Sequence, residues 1–268
     1  MIKIDDRPSA GPGVRMAKII CITNQKGGVG KTTTAINLAS CLAAIDRRTL
    51  LVDMDPQGNS TSGVGIDKTQ CENTVYQVLM GESGIRETIQ PTEMKKLFCV
   101  PSNSHLTGAE VELVPLPDRE IRLKRALETV EAEFDYVLID CPPSLGFLTL
   151  NALTAAHSVL IPVQCEYYAL EGLGSLMETI ERVREALNPS LEIEGAVLTM
   201  YDGRTRLSVQ VSEEVRKFFG DRVYNTIVPR NVQLSEAPSF GKPIILYDIR
   251  SSGAQAYLNL TKEIVTRG

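Results

Sequence analysis

Several kinds of chemistry are excluded by what this sequence lacks. No run of about eighteen apolar residues occurs in its 268 positions, so no membrane-spanning helix is expected. The opening stretch MIKIDDRPSAGPGVRM has no apolar core of the kind a signal peptide needs, which points to a cytoplasmic protein. Histidine is scarce, with only His105 and His157, and the six cysteines lie at least 20 residues apart with no C-x-x-C pair. That spacing suits neither a zinc site nor a small disulfide framework, so six reduced, mostly buried thiols are expected. Internal repeats, low-complexity tracts and long linkers are also missing, which favours one domain.

What is present fits a soluble globular chain, 43% hydrophobic and long enough to bury a substantial core. Its net charge of −5 argues against a protein coated in nucleic acid, but the charge is uneven. Positions 200–250 hold eight Lys/Arg against six Asp/Glu, a local +2 that leaves −7 for the rest. A basic face on an acidic protein is one reading of that excess; chance clustering on a solvated surface is the simpler one on charge alone.

Residues 1–15 contain Pro8, Gly11, Pro12 and Gly13 and show no periodicity, so a disordered tail is expected there and a folded domain over 16–268. AKIICIT (17–23) is a short apolar run ending at a glycine loop, the mark of a buried parallel strand. A helical spacing of Ile36, Leu38, Ala39, Leu42 and Ala43 follows, then the strand-like RRTLLVDMD. FDYVLIDCPP, HSVLIPVQ and LEIEGAVLTMYD repeat the alternation. Leu173, Leu176, Met177, Ile180, Val183 and Leu187 form one helical stripe, read as core packing, that ends at Asn188 and Pro189. The pattern predicts an α/β fold: a single doubly wound, mostly parallel sheet with helices on both faces.

The chemistry concentrates in NQKGGVGKTTTAINLA (24–39). The usual phosphate-loop spacing G-x-x-x-x-G-K-[ST] would place glycine at position 25; here Gln25 stands there, followed by a second lysine, Lys26. Between a strand and a helix, Gly27, Gly28, Val29 and Gly30 can wrap backbone N–H groups around phosphate oxygens, with Thr33 in the first helical turn. Lys31 is expected to reach the β- and γ-phosphates, and Thr32 to offer its hydroxyl to Mg²⁺. Asp53, Asp55 and Asp140 follow strand ends, where ligand crevices of doubly wound sheets open, so all three can converge on the loop. For Asp53, capping of its own turn is the plainer alternative.

Six blocks in order, KGGVGKTTTAINLA, VDMDPQGN, LIDCPPSLGFLT, PVQCEYYALEGL, VLTMYDGRT and IVPRNVQLSEAPSFGKPIILYD, resemble the ParA-type (Soj-like) chromosome and plasmid partitioning ATPases. The resemblance runs from about Met16 to the C-terminus. The lysine-rich loop by itself would identify only the wider deviant-phosphate-loop superfamily of P-loop NTPases, which includes MinD-like ATPases and the nitrogenase iron protein. The resemblance implies an ATP- and Mg²⁺-dependent enzyme in which Lys26 reaches across a two-fold axis to the partner subunit's phosphates, making a homodimer that depends on ATP. It further implies that Lys31 and Asp55 serve hydrolysis, with Asp55 positioning the attacking water. By the same resemblance Asp140 holds Mg²⁺ through water, Asp53 supports the metal shell, and Pro229 and Asn231 border adenine.

Such ATPases turn over slowly alone and faster with DNA and a ParB-like centromere-binding partner. Their ATP-bound dimers bind double-stranded DNA without sequence preference, which implies a nucleoid-associated protein. Arg204 sits where a DNA contact is expected. Many relatives read PRNVR where this chain has Gln233, so contacts are shifted to Arg206, Arg216, Lys217, Arg230, Lys242 and Arg250, chosen by charge. A MinD-like membrane-associated ATPase is the alternative, but that class ends in a basic amphipathic helix. Here Tyr257, Leu258, Leu260, Ile264 and Val265 read as packing positions, so no membrane partner is expected. An iron–sulfur ATPase is disfavoured because Cys141 and Cys165 lack a cluster-ligand spacing.

Overall fold

The computed structural model describes residues 16–166 and 171–267; the tail expected over residues 1–15 lies outside them. Eight strands form one sheet: β1 (Lys18–Ile22), β2 (Thr49–Asp53), β3 (Gln90–Pro91), β4 (Leu97–Val100), β5 (Tyr136–Asp140), β6 (Ser158–Gln164), β7 (Glu192–Tyr201) and β8 (Val223–Pro229). Their order is β3-β4-β2-β5-β1-β6-β7-β8, and every pairing is parallel except the antiparallel β3–β4. Parallel strands need crossover connections, and the helices that make them cover both faces.

Side chains alternate between two cores. Ile19, Cys21, Leu50, Val52, Val137 and Ile139 face one core, shared with Leu173, Leu176, Ile180 and Val183 of the helix Glu171–Ala186. Ile20, Ile22, Leu51 and Leu138 face the other, packed on the helices Lys31–Ala44 and Ser252–Arg267. Because each central strand is buried on both sides, it reads as a continuous apolar run. All six cysteines are free and buried, as expected.

Polar groups lock the sheet where hydrophobic burial cannot set the register. The Glu194 carboxylate on β7 accepts from Lys18 Nζ at 2.8 Å, Ser158 Oγ at 2.6 Å and Tyr224 OH at 3.2 Å, so one side chain ties β7 to β1, β6 and β8. Next to it Gly195 has φ +152°, at a register shift between β6 and β7. Both sheet edges are blunted. β3 has only two residues, one of them Pro91, while at the β8 edge Glu263 accepts from Asn225 N at 2.9 Å and Thr226 N at 2.7 Å. An edge so occupied offers no template to another strand.

Candidate nucleotide site

The loop after β1 owes its shape to glycine. Gly28 and Gly30 have φ of +75° and +87°, values that L side chains rarely adopt. Neighbours hold the loop rigidly. Asn24 accepts from Lys26 N at 3.0 Å and donates to Pro162 O at 2.8 Å, and the Thr199 hydroxyl donates to Val29 O at 2.8 Å. The helix Lys31–Ala44 then starts with no side-chain cap and no acidic residue in its first turn. Its first N–H groups are therefore left for an anion, whose charge the helix dipole favours.

Around this helix start lies a cavity of about 350 Å³, lined by Gly27, Lys31, Thr32, Asp55, Gln57 and others. Lys31 is buried and donates to Lys26 O at 3.1 Å. Burial lowers its pKa, against the raising pull of Asp140, Cys141 and Asp55. A desolvated ammonium in such a place gains most from a neighbouring phosphate.

Strand pairing sets the carboxylates side by side, with Asp53 opposite Asp140 in the β2–β5 register. Burial raises both pKas, and the charge of Asp53 adds to the rise at Asp140. Both Asp53 oxygens are engaged: Oδ1 accepts from Asp55 N at 3.1 Å, and Oδ2 from Thr61 N at 2.8 Å and Thr61 Oγ1 at 2.7 Å. The turn-capping alternative describes the contact to Asp55 N, while Thr61 of the helix Asn59–Gly63 takes the other oxygen; three of about four acceptor sites are thus used. Asp140 differs. Its Oδ2 accepts from Ser60 Oγ at 2.6 Å, but its buried Oδ1 has no hydrogen-bond partner. The Thr32 hydroxyl is close enough to pull the Asp140 pKa down but makes no hydrogen bond of normal geometry to Oδ1; an under-used buried acceptor beside that hydroxyl fits a hydrated cation. Asp55 lines the cavity itself; Ser102 Oγ donates to its carbonyl at 2.7 Å, and its Oδ1 accepts from Gln57 N at 2.9 Å.

The cost of Asp140 can be measured. Asp140→Asn is expected to raise the melting temperature of the nucleotide-free protein by about 2–4 °C, the shift that about 1 kcal/mol makes in a domain of this size. Its hydrolysis rate should fall in the same preparation. Calorimetry and a phosphate-release assay check the two together.

A second cavity of about 220 Å³ contains Pro229 and Asn231 and shares Gly30, Thr33 and Met200 with the first. Phosphate loop and expected base site are therefore continuous. The Asn231 side chain is already engaged, accepting from Leu234 N at 3.1 Å and donating to Ser252 Oγ at 3.0 Å, so it shapes the wall rather than presenting a free amide. Met200 at the shared wall was not legible in the sequence. It has φ +50°, a left-handed conformation for a non-glycine residue, and its Sδ lies 3.3 Å from Gln164 Nε2.

Lys26 points elsewhere within its own subunit. Its Nζ is 3.6 Å from Glu166 Oε2, a carboxylate that also meets Arg230 at 3.5 Å and accepts from Gln164 at 2.7 Å. The seven cations expected to meet DNA are not gathered together. Arg204, Arg206 and Arg230 lie past the C-terminal ends of β7 and β8, on the nucleotide side, while Arg216 and Lys217 lie in the last turn of the helix Arg206–Phe219. At about 1.5 Å rise per residue, that helix separates the two groups by roughly 15 Å. Lys242 and Arg250 are exposed on the connection to the last helix. Arg204 is 89% exposed, yet its guanidinium forks onto Asp202, with Nε and Nη2 at 2.8 and 2.7 Å from the two carboxylate oxygens.

Comparison with known proteins bears on this arrangement. A family model described as an AAA domain matches residues 17–193. The sporulation initiation inhibitor protein Soj of Bacillus subtilis is 60% identical over 253 residues, covering 94% of this chain and 100% of that protein. The chain belongs to the ParA/Soj family of chromosome-partitioning ATPases. The chromosome partitioning protein ParA of Myxococcus xanthus is likewise 60% identical, covering 94% of this chain and 89% of its own length. Among solved structures, cobyrinic acid a,c-diamide synthase of Mycobacterium smegmatis, bound to an ATP analogue and magnesium, superposes with a TM-score of 0.83 at 38% identity. The overlap covers 94% of this chain and 95% of that one. Full-length relatives decide the ParA/Soj membership; the solved structure shows the same fold holding a nucleotide analogue.

Proposed function

We propose that this chain is an ATP-driven switch for DNA segregation. ATP joins two subunits, Lys26 of each reaching the phosphates held by the other; the dimer binds double-stranded DNA without sequence preference; a ParB-like partner triggers hydrolysis and release. The observation that carries the reading is the convergence of buried Lys31 and Asp55 on one glycine-rich helix start, with the Asp140 carboxylate close enough to Lys31 and Thr32 to interact with both. A cytoplasmic, nucleoid-associated location goes with it.

In this reading the loop N–H groups and Lys31 bind the β- and γ-phosphates, and Asp55 orients the water for in-line attack. Thr32 and, through water, Asp140 would hold Mg²⁺, which when bound neutralises charge on the phosphate oxygens. Positioning and charge stabilisation are then the protein's main contributions. Lys26 must leave Glu166 to reach a partner subunit, so γ-phosphate contacts select the paired state. In the helix Ser252–Arg267, Tyr257, Leu260 and Ile264 are buried in the core, so this helix has no free apolar face of its own for a membrane surface. Among the described residues no helix is long and apolar enough to cross a membrane.

DNA binding supplies the test. Anisotropy of a random-sequence duplex should report affinity that requires ATP and falls with salt, with a log–log slope of about −0.9 per phosphate neutralised. Arg204→Ala should flatten the slope by about one contact per subunit, and Gln233→Arg should tighten binding. The hydrolysis-dead Asp55→Ala background keeps the dimer closed during the salt series. Affinity that ignores nucleotide, or no response to Gln233→Arg at any salt, would rule out this DNA face.

A further inference from the structure

Asp140 is followed by the short loop 141–146 and then by the helix Phe147–Ala155. That helix has no cap from its own sequence. The cap comes from 37 residues upstream: Glu110, on the helix Leu106–Glu112, accepts from Phe147 N at 2.7 Å and from Leu148 N at 3.4 Å. A carboxylate on two N–H groups at a helix start that have no partner within the helix is a charge-assisted bond reinforced by the helix dipole. Gly146 lets it come so close, since a Cβ there would collide with the Glu110 carboxylate. The chain leading into Leu106–Glu112 also grips the other catalytic loop, because Ser102 Oγ holds the Asp55 carbonyl at 2.7 Å. One brace therefore touches both loops that carry the site's carboxylates.

The geometry points to Glu110 as a positioning residue for ATP hydrolysis, one that sets the far end of the loop 141–146 and with it the placement of Asp140. The inference rests on the reading of Asp140 given above. Glu110 lines neither nucleotide cavity, so its effect passes through the loop. Other contacts keep the helix in place without it: Asn151 accepts from Leu123 N at 3.1 Å and donates to Arg119 O at 2.7 Å, and the Arg119 guanidinium lies 5.1 Å from the Phe147 ring centroid. Removing Glu110 should thus loosen the loop and leave the fold.

Steady-state ATPase and fluorescent-ATP binding are measured on the full chain for Glu110→Ala, Glu110→Gln and Gly146→Ala. Hydrogen exchange of nucleotide-free protein over residues 141–150 is followed in parallel. Glu110→Ala should lower kcat by about tenfold, as loss of a group that orients a ligand does, with KM for ATP within about twofold. Exchange over 141–150 should quicken. Glu110→Gln keeps an acceptor and should recover most of the rate, whereas Gly146→Ala should reproduce the loss by pushing the carboxylate away. Thr205→Ala is the matched control: it removes the cap of the helix Arg206–Phe219, where Thr205 Oγ1 accepts from Ser208 N at 3.3 Å, and should lower the melting temperature without changing kcat. Wild-type kcat in both Glu110→Ala and Gly146→Ala, beside a slow Asp140→Asn, would overturn this inference alone. Wild-type kcat in Asp140→Asn would overturn it together with the reading of the site.

Discussion

Lys31→Ala is expected to lose ATP binding, while Asp55→Ala binds ATP with near-normal affinity and hydrolyses it at least about 10²-fold more slowly. The two side chains line the same cavity but meet different parts of the reaction. Lys31 is a buried cation whose nearest acceptor is the carbonyl of Lys26, 3.1 Å away. Asp140 and Asp55 pull on it only from beyond ion-pair distance, so phosphate would be its first direct ion-pair partner, in the ground state as well as the transition state, and its loss removes binding itself. Asp55 brings negative charge towards phosphate and adds nothing to ground-state affinity; its value lies in orienting water. Isothermal titration with ATP followed by phosphate release separates the two. Equal loss of affinity in both variants would end the division of roles. With hydrolysis stopped, Asp55→Ala should also accumulate as a dimer in ATP, read by size-exclusion chromatography with light scattering.

Gly195→Ala should be the most damaging small substitution far from the site. A Cβ there would stand 2.5 Å from the Arg222 carbonyl oxygen and 2.8 Å from the Tyr224 ring, in a backbone conformation of φ +152°. Neither neighbour can retreat cheaply: Arg222 presents backbone, and Tyr224 is buried with its hydroxyl on Glu194. Strain and overpacking together amount to roughly 3 kcal/mol or more, lowering the melting temperature by about 6–12 °C. Gly174→Ala is the contrast. It lies in the helix Glu171–Ala186 with no atom within 4 Å of its added Cβ, and should stabilise by up to about 1 kcal/mol. Scanning calorimetry of both variants checks the difference, and a Gly195→Ala protein that melts like the parent would mean that β7 can shift.

Much of the fold was legible because parallel strands buried on two faces need unbroken apolar runs, as in Ile19–Ile22 and Leu50–Val52. The phosphate loop was legible for a similar reason, since positive φ at Gly28 and Gly30 admits few other residues. What escaped notice lacked such a pattern. The helix Arg206–Phe219 buries Ser208 and Ser212 beside Val211, Val215 and Phe219, so its inner stripe is not wholly apolar. Between β2 and β5 the helices run to seven residues at most, too short to display a period. Asp53 was placed correctly at a strand end, but which partner one of its oxygens had taken depended on Thr61, in a short helix eight residues on, which residue type does not announce. Glu110 and Met200 act through neighbours distant in sequence, and a single chain carries no sign of such partners.

The closed rims of the sheet limit how copies of this protein can accumulate. Pro91 in a two-residue strand at one end, and Glu263 on two N–H groups of β8 at the other, take up backbone groups by which sheets join edge to edge. Growth by strand addition, which has no natural stopping point and leads to fibres, is therefore closed off along both borders. Contacts between copies are left to other surfaces, such as the end of the sheet where the nucleotide cavities open. The proposed association around two nucleotides there would be finite, and would come apart when its nucleotides are hydrolysed. High local concentration on a long polyanion would then raise the number of pairs without seeding an aggregate.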